Sequence, residues 1–113
     1  MHELSICGSI ADAVLRRAGE RRVETIHVRI GQLRQVVPDT LSYCWGLVST
    51  ESELDGSVLE VQTVPARIRC QDCEQTSELG ELPLFVCGHC RSVAVSVVAG
   101  EEFMITALDV ARV

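Results

Sequence analysis

Residues 70–90 read CQDCEQTSELGELPLFVCGHC, and they contain two C-x-x-C pairs separated by the thirteen residues 74–86. Two such pairs can close on one tetrahedral metal ion while the residues between them form a hairpin or a loop. The surrounding segment, from about Pro65 to Val98, has few large apolar side chains to bury. Because so few apolar side chains cannot form a core that stabilises the segment, a structural ion would have to take its place. The sequence therefore predicts a small metal-stabilised subdomain.

The two pairs predict zinc as the bound ion, since four thiolates in tetrahedral array form a common structural zinc site. The proposed ligands are the four paired cysteines, Cys70, Cys73, Cys87 and Cys90. Four thiolates leave no open coordination position, which favours a structural role. Iron held as in rubredoxin uses the same ligands and stays an alternative, and two disulfides would need an oxidising compartment. Arg69 and Arg91 adjoin ligands, and Arg67 lies two residues before Arg69. Each could offset the charge of the site or donate to sulfur. His89 is interpreted as an exposed bystander.

Outside this segment, apolar periodicity predicts two helices and three strands. The predicted helices span residues 3–20 and about 38–50, and the predicted strands span residues 23–30, 57–64 and 103–110. Two shorter strands are predicted, one at each end of the cysteine segment, at 66–69 and 94–98. Apolar residues occupy both sides of the strand at 103–110, which is typical of a strand buried from two directions or lying in the middle of a small sheet.

These elements predict an α+β fold, with two helices and a small mixed or antiparallel sheet. The cysteine segment is predicted to be an inserted, zinc-ribbon-like subdomain, and the last strand is predicted to return to the N-terminal domain. The predicted bounds are 1–64 for the first domain, 65–99 for the insertion and 100–113 for the returning strand.

The composition narrows the classes of function. The chain has 113 residues, of which 47% are hydrophobic, so a globular domain is expected. Its net charge is −6, which disfavours nucleic-acid binding, and it contains no lysine for a Schiff base. No apolar run approaches the ~18 residues of a membrane span, and the start lacks a secretory pattern. A cytoplasmic location is therefore expected. The two remaining cysteines, Cys7 and Cys44, fall on the apolar faces of the predicted helices and are interpreted as inert core thiols.

The N-terminal sequence Met1-His2-Glu3 offers a second metal site. A terminal amine and the imidazole of the next residue can chelate one ion, with backbone amides as further nitrogen donors. Square-planar nitrogen coordination suits Ni(II) or Cu(II). A helix N-terminus disfavours positive charge by ~0.3–1 kcal/mol, but the same field eases deprotonation of the amine. By spacing alone, a histidine at this position is more often a solvated residue near a frayed end.

The chain resembles the HypA/HybF family of hydrogenase maturation factors almost from end to end. The resemblance rests on the opening MHELSIC, on VRIGQL, PDTLSYCWGLVS and DGSVLEVQTVPARIRCQDC, and on the second C-x-x-C pair followed by GEEFMITALDV. It implies a nickel-binding N-terminal domain and a zinc domain inserted before the last strand. Carried over to this sequence, it implies that His2 is the essential nickel ligand, that the Met1 amine and Glu3 contribute, and that the paired cysteines bind zinc.

The resemblance also implies partners. The family serves a GTPase nickel-insertion factor and the large subunit of a [NiFe] hydrogenase, and some members serve urease maturation proteins. This sequence departs from the family pattern in two places: Val37 stands before Pro38 where an acidic residue is frequent, and the second cysteine pair lacks a proline found in many zinc ribbons. Neither change removes a proposed ligand.

The functional hypothesis is a nickel metallochaperone, not an enzyme, with nickel as transient cargo and zinc as a structural ion, acting as a monomer or a weak homodimer. The first alternative is a zinc-ribbon adaptor whose N-terminus binds nothing. A metal-dependent hydrolase would need an open metal position, and His27 has no second histidine near it in the sequence. A rubredoxin-like electron carrier would bind iron and be coloured.

Overall fold

The structure, a computed structural model, describes residues 2–81 and 84–111. It is a mixed α+β protein with two helices and two small sheets, as predicted. The elements are α1 His2–Ala18, β1 Val23–Gly31, a 3-10 turn Gln32–Arg34, α2 Pro38–Ser49, β2 Val58–Val64, β3 Arg67–Cys70, β4 Thr76–Glu78, β5 Val95–Ala99 and β6 Phe103–Val110. The described residues form two compact units, the first from 2–29, 36–62 and 104–111, the second from 30–35, 63–81 and 84–103.

In the first unit, α1 and α2 pack against each other, and the unit also contains a three-stranded sheet. The α1 side chains that are buried lie on one face of the helix: Ile6, Cys7, Ile10, Ala11, Val14 and Ala18. Gly19 ends the helix in the left-handed region at φ +63°, where a residue with a β-carbon would be strained. In α2, Leu41 and Trp45 are buried, and the indole N–H of Trp45 donates to Ser57 Oγ at 3.1 Å.

The sheet of the first unit has the order β2-β1-β6, with β1 in the centre. The side-chain contacts His27–Glu60 and Arg29–Gln62 advance in the same direction along β1 and β2, as in a parallel pair joined by a helix. Thr106 Oγ1 donates to His27 O, whereas the Ala111 N–H donates to Arg22 O, so β6 runs antiparallel to β1. The sheet is therefore mixed, and the prediction that the last strand joins the N-terminal elements is confirmed.

The predicted position of β6 is wrong, because β6 lies at an edge of the sheet and is not buried from both sides. Thr106 and Ala107 are both exposed, so the alternation of buried and exposed residues shifts by one position there. Before the shift Phe103 and Ile105 are half-buried, and after it Leu108 and Val110 are. Apolar residues occur at both odd and even positions of β6 because the half-buried positions change from odd to even numbers at Thr106 and Ala107.

The second unit has a three-stranded sheet in which β3 pairs antiparallel with β4 on one side and β5 on the other. Strand β4 is short and polar, and the sequence pattern did not predict it. The buried core consists of Ala66, Ile68 and Leu79, with half-buried Leu33, Val95 and Val97 packed against it. A core of this size supplies little hydrophobic stabilisation, which agrees with the need for a structural ion.

Residues 30–35 belong to the second unit by contact, although residue 30 is the last residue of the predicted strand at 23–30. Gln32 Oε1 accepts from the Ala66 N–H at 2.8 Å, and its Nε2 donates to Gly80 O at 2.8 Å. The backbone also passes close to itself at Gly100 and Ala66. A β-carbon on Gly100 would lie 2.6 Å from Ala66 Cα, and Gly100 has φ +111°, so only glycine fits there. Gln32 thus ties together the segments that lead into and out of the cysteine-bearing sheet. The domain bounds inferred from the sequence stay a prediction.

Candidate metal centres

The four paired cysteines converge on one point in the second unit. All four sulfur atoms lie within 4.8 Å of one another, and the pairs Cys70–Cys90 and Cys73–Cys87 have Sγ–Sγ distances of 3.5 Å. A regular tetrahedron of sulfurs around zinc, with Zn–S bonds of about 2.3 Å, has edges of about 3.8 Å. The spacing of these sulfurs therefore fits one tetrahedral ion.

Each cysteine pair folds into a turn that directs backbone N–H groups at its first sulfur. Cys70 Sγ accepts from the N–H groups of Asp72 and Cys73 at 3.4 and 3.5 Å. Cys87 Sγ accepts from those of His89 and Cys90 at 3.3 and 3.4 Å. Such donors stabilise thiolate, so each turn is prepared to hold a metal-bound sulfur.

The two turns have the same backbone geometry. The Glu74 N–H donates to Cys70 O, and the Arg91 N–H donates to Cys87 O, each at 3.1 Å. Glu74 and Arg91 both adopt the left-handed conformation, with φ of +62° and +66°. This conformation costs a residue with a β-carbon roughly 1–2 kcal/mol, so the surroundings must impose it at both sites. The repetition indicates that the two pairs form equivalent halves of one site.

Hydrogen bonds also join the two turns. Ser92 Oγ donates to Asp72 Oδ2 at 2.5 Å, and the Cys87 N–H donates to Ser92 O at 2.9 Å. The Gly88 N–H donates to Ser77 Oγ at 3.2 Å, which links the second turn to β4. The Ser92–Asp72 bond therefore connects the two halves of the site.

The thiol pKa values differ within the cluster. The pKa of Cys87 is lowered to about 6, because the backbone N–H of Cys90 and then that of His89 donate to its sulfur. The pKa of Cys70 is also lowered, first by the N–H of Cys73. The pKa of Cys90 is raised to about 12: the N–H of Ser92 lowers it, but the neighbouring thiols, beginning with Cys70, and burial raise it by more. Four thiolates this close together therefore require a cation between them.

The structure does not show the Arg69 side chain donating to a cysteine sulfur. The donors to Cys70 and Cys87 Sγ are backbone amides, and the Arg69 guanidinium donates to Glu74 O at 3.3 Å. Arg69 therefore supports the first turn and does not donate to sulfur. The His89 side chain is exposed, and His89 is not part of the four-sulfur group.

The predicted nickel site lies at the start of α1, where the Met1 amine falls outside the described residues. His2 is the first residue of α1 and is exposed. Glu3 Oε2 accepts from the Val37 N–H at 3.4 Å, and Val37 is the residue before α2. The Glu3 side chain therefore links the first turn of α1 to the residue that precedes α2. The Glu3 carboxylate supplies a negative charge at the start of α1, where the helix dipole favours one.

Cys7 lies one turn after Glu3 and is fully buried. Its Sγ donates to Leu41 O at 3.4 Å. Burial, followed by the proximity of Cys44 and of Glu3, raises the pKa of the Cys7 thiol to about 11. This environment supports the interpretation of Cys7 as an inert core thiol. Cys44 is half-buried.

His27 has two carboxylate partners that the sequence pattern did not indicate. Its Nε2 lies 2.8 Å from Asp109 Oδ2, and its Nδ1 lies 3.2 Å from Glu60 Oε2. Asp109 is on β6 and Glu60 is on β2, so His27 joins both edge strands to the central one. Glu60 and Asp109 are 33 and 82 residues from His27 in the sequence and share no motif with it, so only the sheet order brings the three side chains together.

We expect the stability of the first unit to fall as the pH rises through the pKa of His27. The hydrogen bond to Asp109 is the largest reason that this pKa is raised, and Glu60 adds to it. Because the folded-state pKa exceeds the unfolded value of about 6.5, the stabilisation is complete below that value and is lost as the pH rises through the folded-state pKa. NMR titration of the His27 ring checks this. In Asp109→Asn the pKa should move down, and an unchanged pKa would contradict the assignment.

No helix among residues 2–81 and 84–111 is long and apolar enough to cross a membrane.

Comparison with known proteins identifies the family. The family model described as "Hydrogenase/urease nickel incorporation, metallochaperone, hypA" matches residues 1–110. The hydrogenase maturation factor HypA of Geotalea uraniireducens is 36% identical over 110 residues, covering 97% of this chain and 99% of the relative. That of Roseiflexus sp. is 35% identical over 112 residues, covering 96% and 91%.

A solved structure shares the fold. The solution structure of the Ni metallochaperone HypA from Helicobacter pylori has a TM-score of 0.67 and 22% identity, and the match covers 97% of both chains. The family match extends over both cysteine pairs and the opening residues of the chain. The chain therefore belongs to the HypA family of hydrogenase and urease nickel-incorporation metallochaperones.

Proposed function

We propose that this chain binds Ni(II) at its first residues and delivers it during [NiFe] hydrogenase maturation, while zinc has a structural role in the four-cysteine site. The observation that carries the proposal is the separation of two ligand sets. His2 lies exposed at the start of α1, whereas the four cysteines gather around one point in the other unit. The exposed histidine suits a transient cargo ion, and the four converging thiolates suit a permanently bound ion.

The proposed nickel ligands are the imidazole of His2, the amine of Met1 and backbone amide nitrogens, with Glu3 contributing charge. Nitrogen donors of this kind suit square-planar Ni(II). The Glu3 carboxylate holds the start of α1 against the start of α2 through the Val37 N–H, so it positions the site. Because His2 is exposed, an incoming ligand from a partner can reach the metal, which delivery requires.

The proposed zinc ligands are Cys70, Cys73, Cys87 and Cys90. Bound zinc would supply the folding energy that the three-residue core of the second unit lacks. With all four positions filled by thiolate, the ion has no place for a substrate, so we assign it no catalytic role. Such a site needs reduced cysteines, and we therefore place the protein in the cytoplasm.

The proposed partners follow from the same role. A nickel carrier needs a donor or energy-coupling factor and an acceptor, and the family description covers hydrogenase and urease. We propose a GTPase nickel-insertion factor and the hydrogenase large subunit as partners, with urease maturation proteins where the cell makes urease. The carrier acts as a monomer or a weak homodimer.

A zinc-ribbon adaptor without nickel binding is the second candidate. Exposed apolar side chains in the second unit favour it, since such residues are typical of docking surfaces. They include Leu84, Phe85 and Val93, with exposed fractions of 70%, 46% and 78%.

Calorimetric titration of zinc-loaded, untagged protein with Ni(II) separates the two candidates. The protein with a free amine should bind one nickel ion, and acetylation of that amine should weaken binding at least about 10-fold, because a direct ligand is lost. Equal binding by both forms would exclude the N-terminal site. Absence of nickel binding in both would favour the adaptor.

A further inference from the structure

A groove separates the C-terminal half of α1 from the edge strand β6. Its volume is about 560 Å³. The apolar residues that line it are Ala13, Val14, Ile105, Ala107, Leu108 and Val110. Arg17 and Arg21 complete the wall on the α1 side. The groove therefore combines an apolar floor with two cationic side chains at one rim.

The position of β6 determines what shape of ligand fits. The sheet order is β2-β1-β6, so within the described residues the outer edge of β6 has no neighbouring strand. An edge strand presents backbone N–H and C=O groups that can pair with an added strand. A chain segment paired there would extend the sheet beneath α1 and cover the groove.

The two arginines favour an acidic ligand. Among residues 2–81 and 84–111, no carboxylate lies within 4 Å of the Arg17 or Arg21 guanidinium. Arg21 is held in place, because its Nε donates to Ala18 O and its Nη2 donates to Arg17 O, both at 3.0 Å. The helix dipole accounts for basic residues at the end of α1, but it does not account for the apolar floor beside them. Within the described residues, these two guanidinium groups are therefore available to a carboxylate of another molecule.

We propose that this groove binds an extended, acidic segment of a partner protein, in which carboxylates alternate with apolar side chains. The segment pairs with the edge of β6, inserts its apolar side chains beneath α1 and places its carboxylates at Arg17 and Arg21. Alternation matches the strand geometry, since successive side chains point to opposite faces. The proposal concerns an interaction surface of the first unit and does not depend on nickel binding.

The test is an NMR titration of zinc-loaded, full-length protein with a short, capped peptide of alternating Glu and Val. We expect saturable shifts of the amides of 105–110 and 13–21, and slower hydrogen exchange in β6. Arg17→Glu should weaken binding at least about 10-fold. Arg16→Glu is the matched control, because Arg16 is exposed, adjacent and absent from the groove wall. It should weaken binding less than about 3-fold.

Several outcomes would overturn the proposal. The first is the absence of saturable shifts at about 1 mM peptide. The second is equal binding of a peptide with Gln in place of Glu. The third is equal weakening by Arg17→Glu and Arg16→Glu, which would indicate attraction to net charge alone. Shifts of the same amides on simple concentration, without peptide, would identify a second copy of the chain as the occupant and would also overturn it. A hydrogen-exchange map confirms that each variant is folded.

Discussion

Replacing Cys70 with serine is expected to abolish zinc binding and unfold the second unit. The sulfur of Cys70 is buried and accepts two backbone N–H groups, so the turn from Cys70 to Cys73 is built around a thiolate. Serine offers a weakly acidic hydroxyl on a shorter bond and is a poor zinc ligand. Structural zinc contributes an apparent ~10–16 kcal/mol to domains of this kind, more than the whole stability of a typical small domain. No compensation is available from a core of Ala66, Ile68 and Leu79.

Metal analysis and hydrogen exchange measure this effect together. We expect zinc content to fall from one ion per chain to nearly none, and the amides of β3 and β5 to lose protection. Cys44→Ser is the matched control, because Cys44 is half-buried in α2 and lies outside the four-sulfur group. It should keep its zinc and the protection of both strands. Full zinc occupancy in Cys70→Ser would contradict the assignment of this ligand, and an orange, iron-containing protein would favour the rubredoxin alternative.

The four-cysteine site could be predicted from the sequence because its ligands are local. The two residues between Cys70 and Cys73 fix one turn, and the two between Cys87 and Cys90 fix the other, so spacing alone limits the geometry. The structure adds that both first sulfurs are stabilised by backbone amides. Backbone donors leave no trace in residue identity, which is why arginine side chains were expected in that role.

The features that the sequence did not predict depend on long-range contacts. His27 meets Asp109 across 82 residues, and Gln32 meets Gly80 across 48. Neither pair belongs to a periodic pattern. The interpretation of β6 failed for a different reason, since an alternation read over 103–110 assumes a constant phase, and the phase changes at Thr106 and Ala107. The helices were predicted within two residues at each end because their periodicity is uninterrupted.

Replacing His2 with glutamine is expected to weaken Ni(II) binding by about 100-fold, or ~2.7 kcal/mol. The imidazole is the one side-chain nitrogen in the proposed nickel ligand set, and the amide of glutamine is a much poorer donor to a square-planar ion. Glutamine is preferred to alanine because initiator methionine is retained before a bulky residue, so the Met1 amine stays in place. Since His2 is exposed, the fold should be unaffected. Calorimetry and the visible absorption of planar Ni(II) both report the loss.

His89→Gln is the matched control, since it removes an exposed histidine by the same chemical change without touching the start of α1. It should bind nickel as the parent protein does and keep its zinc. Two results would contradict the N-terminal assignment. Equal nickel affinity in His2→Gln and the parent protein would show that the imidazole is not a ligand, and a loss confined to His89→Gln would move the site to the second cysteine pair. Loss in both variants, with zinc retained, would indicate that one ion bridges both histidines and would overturn the separation of cargo from structural metal on which the proposed delivery depends.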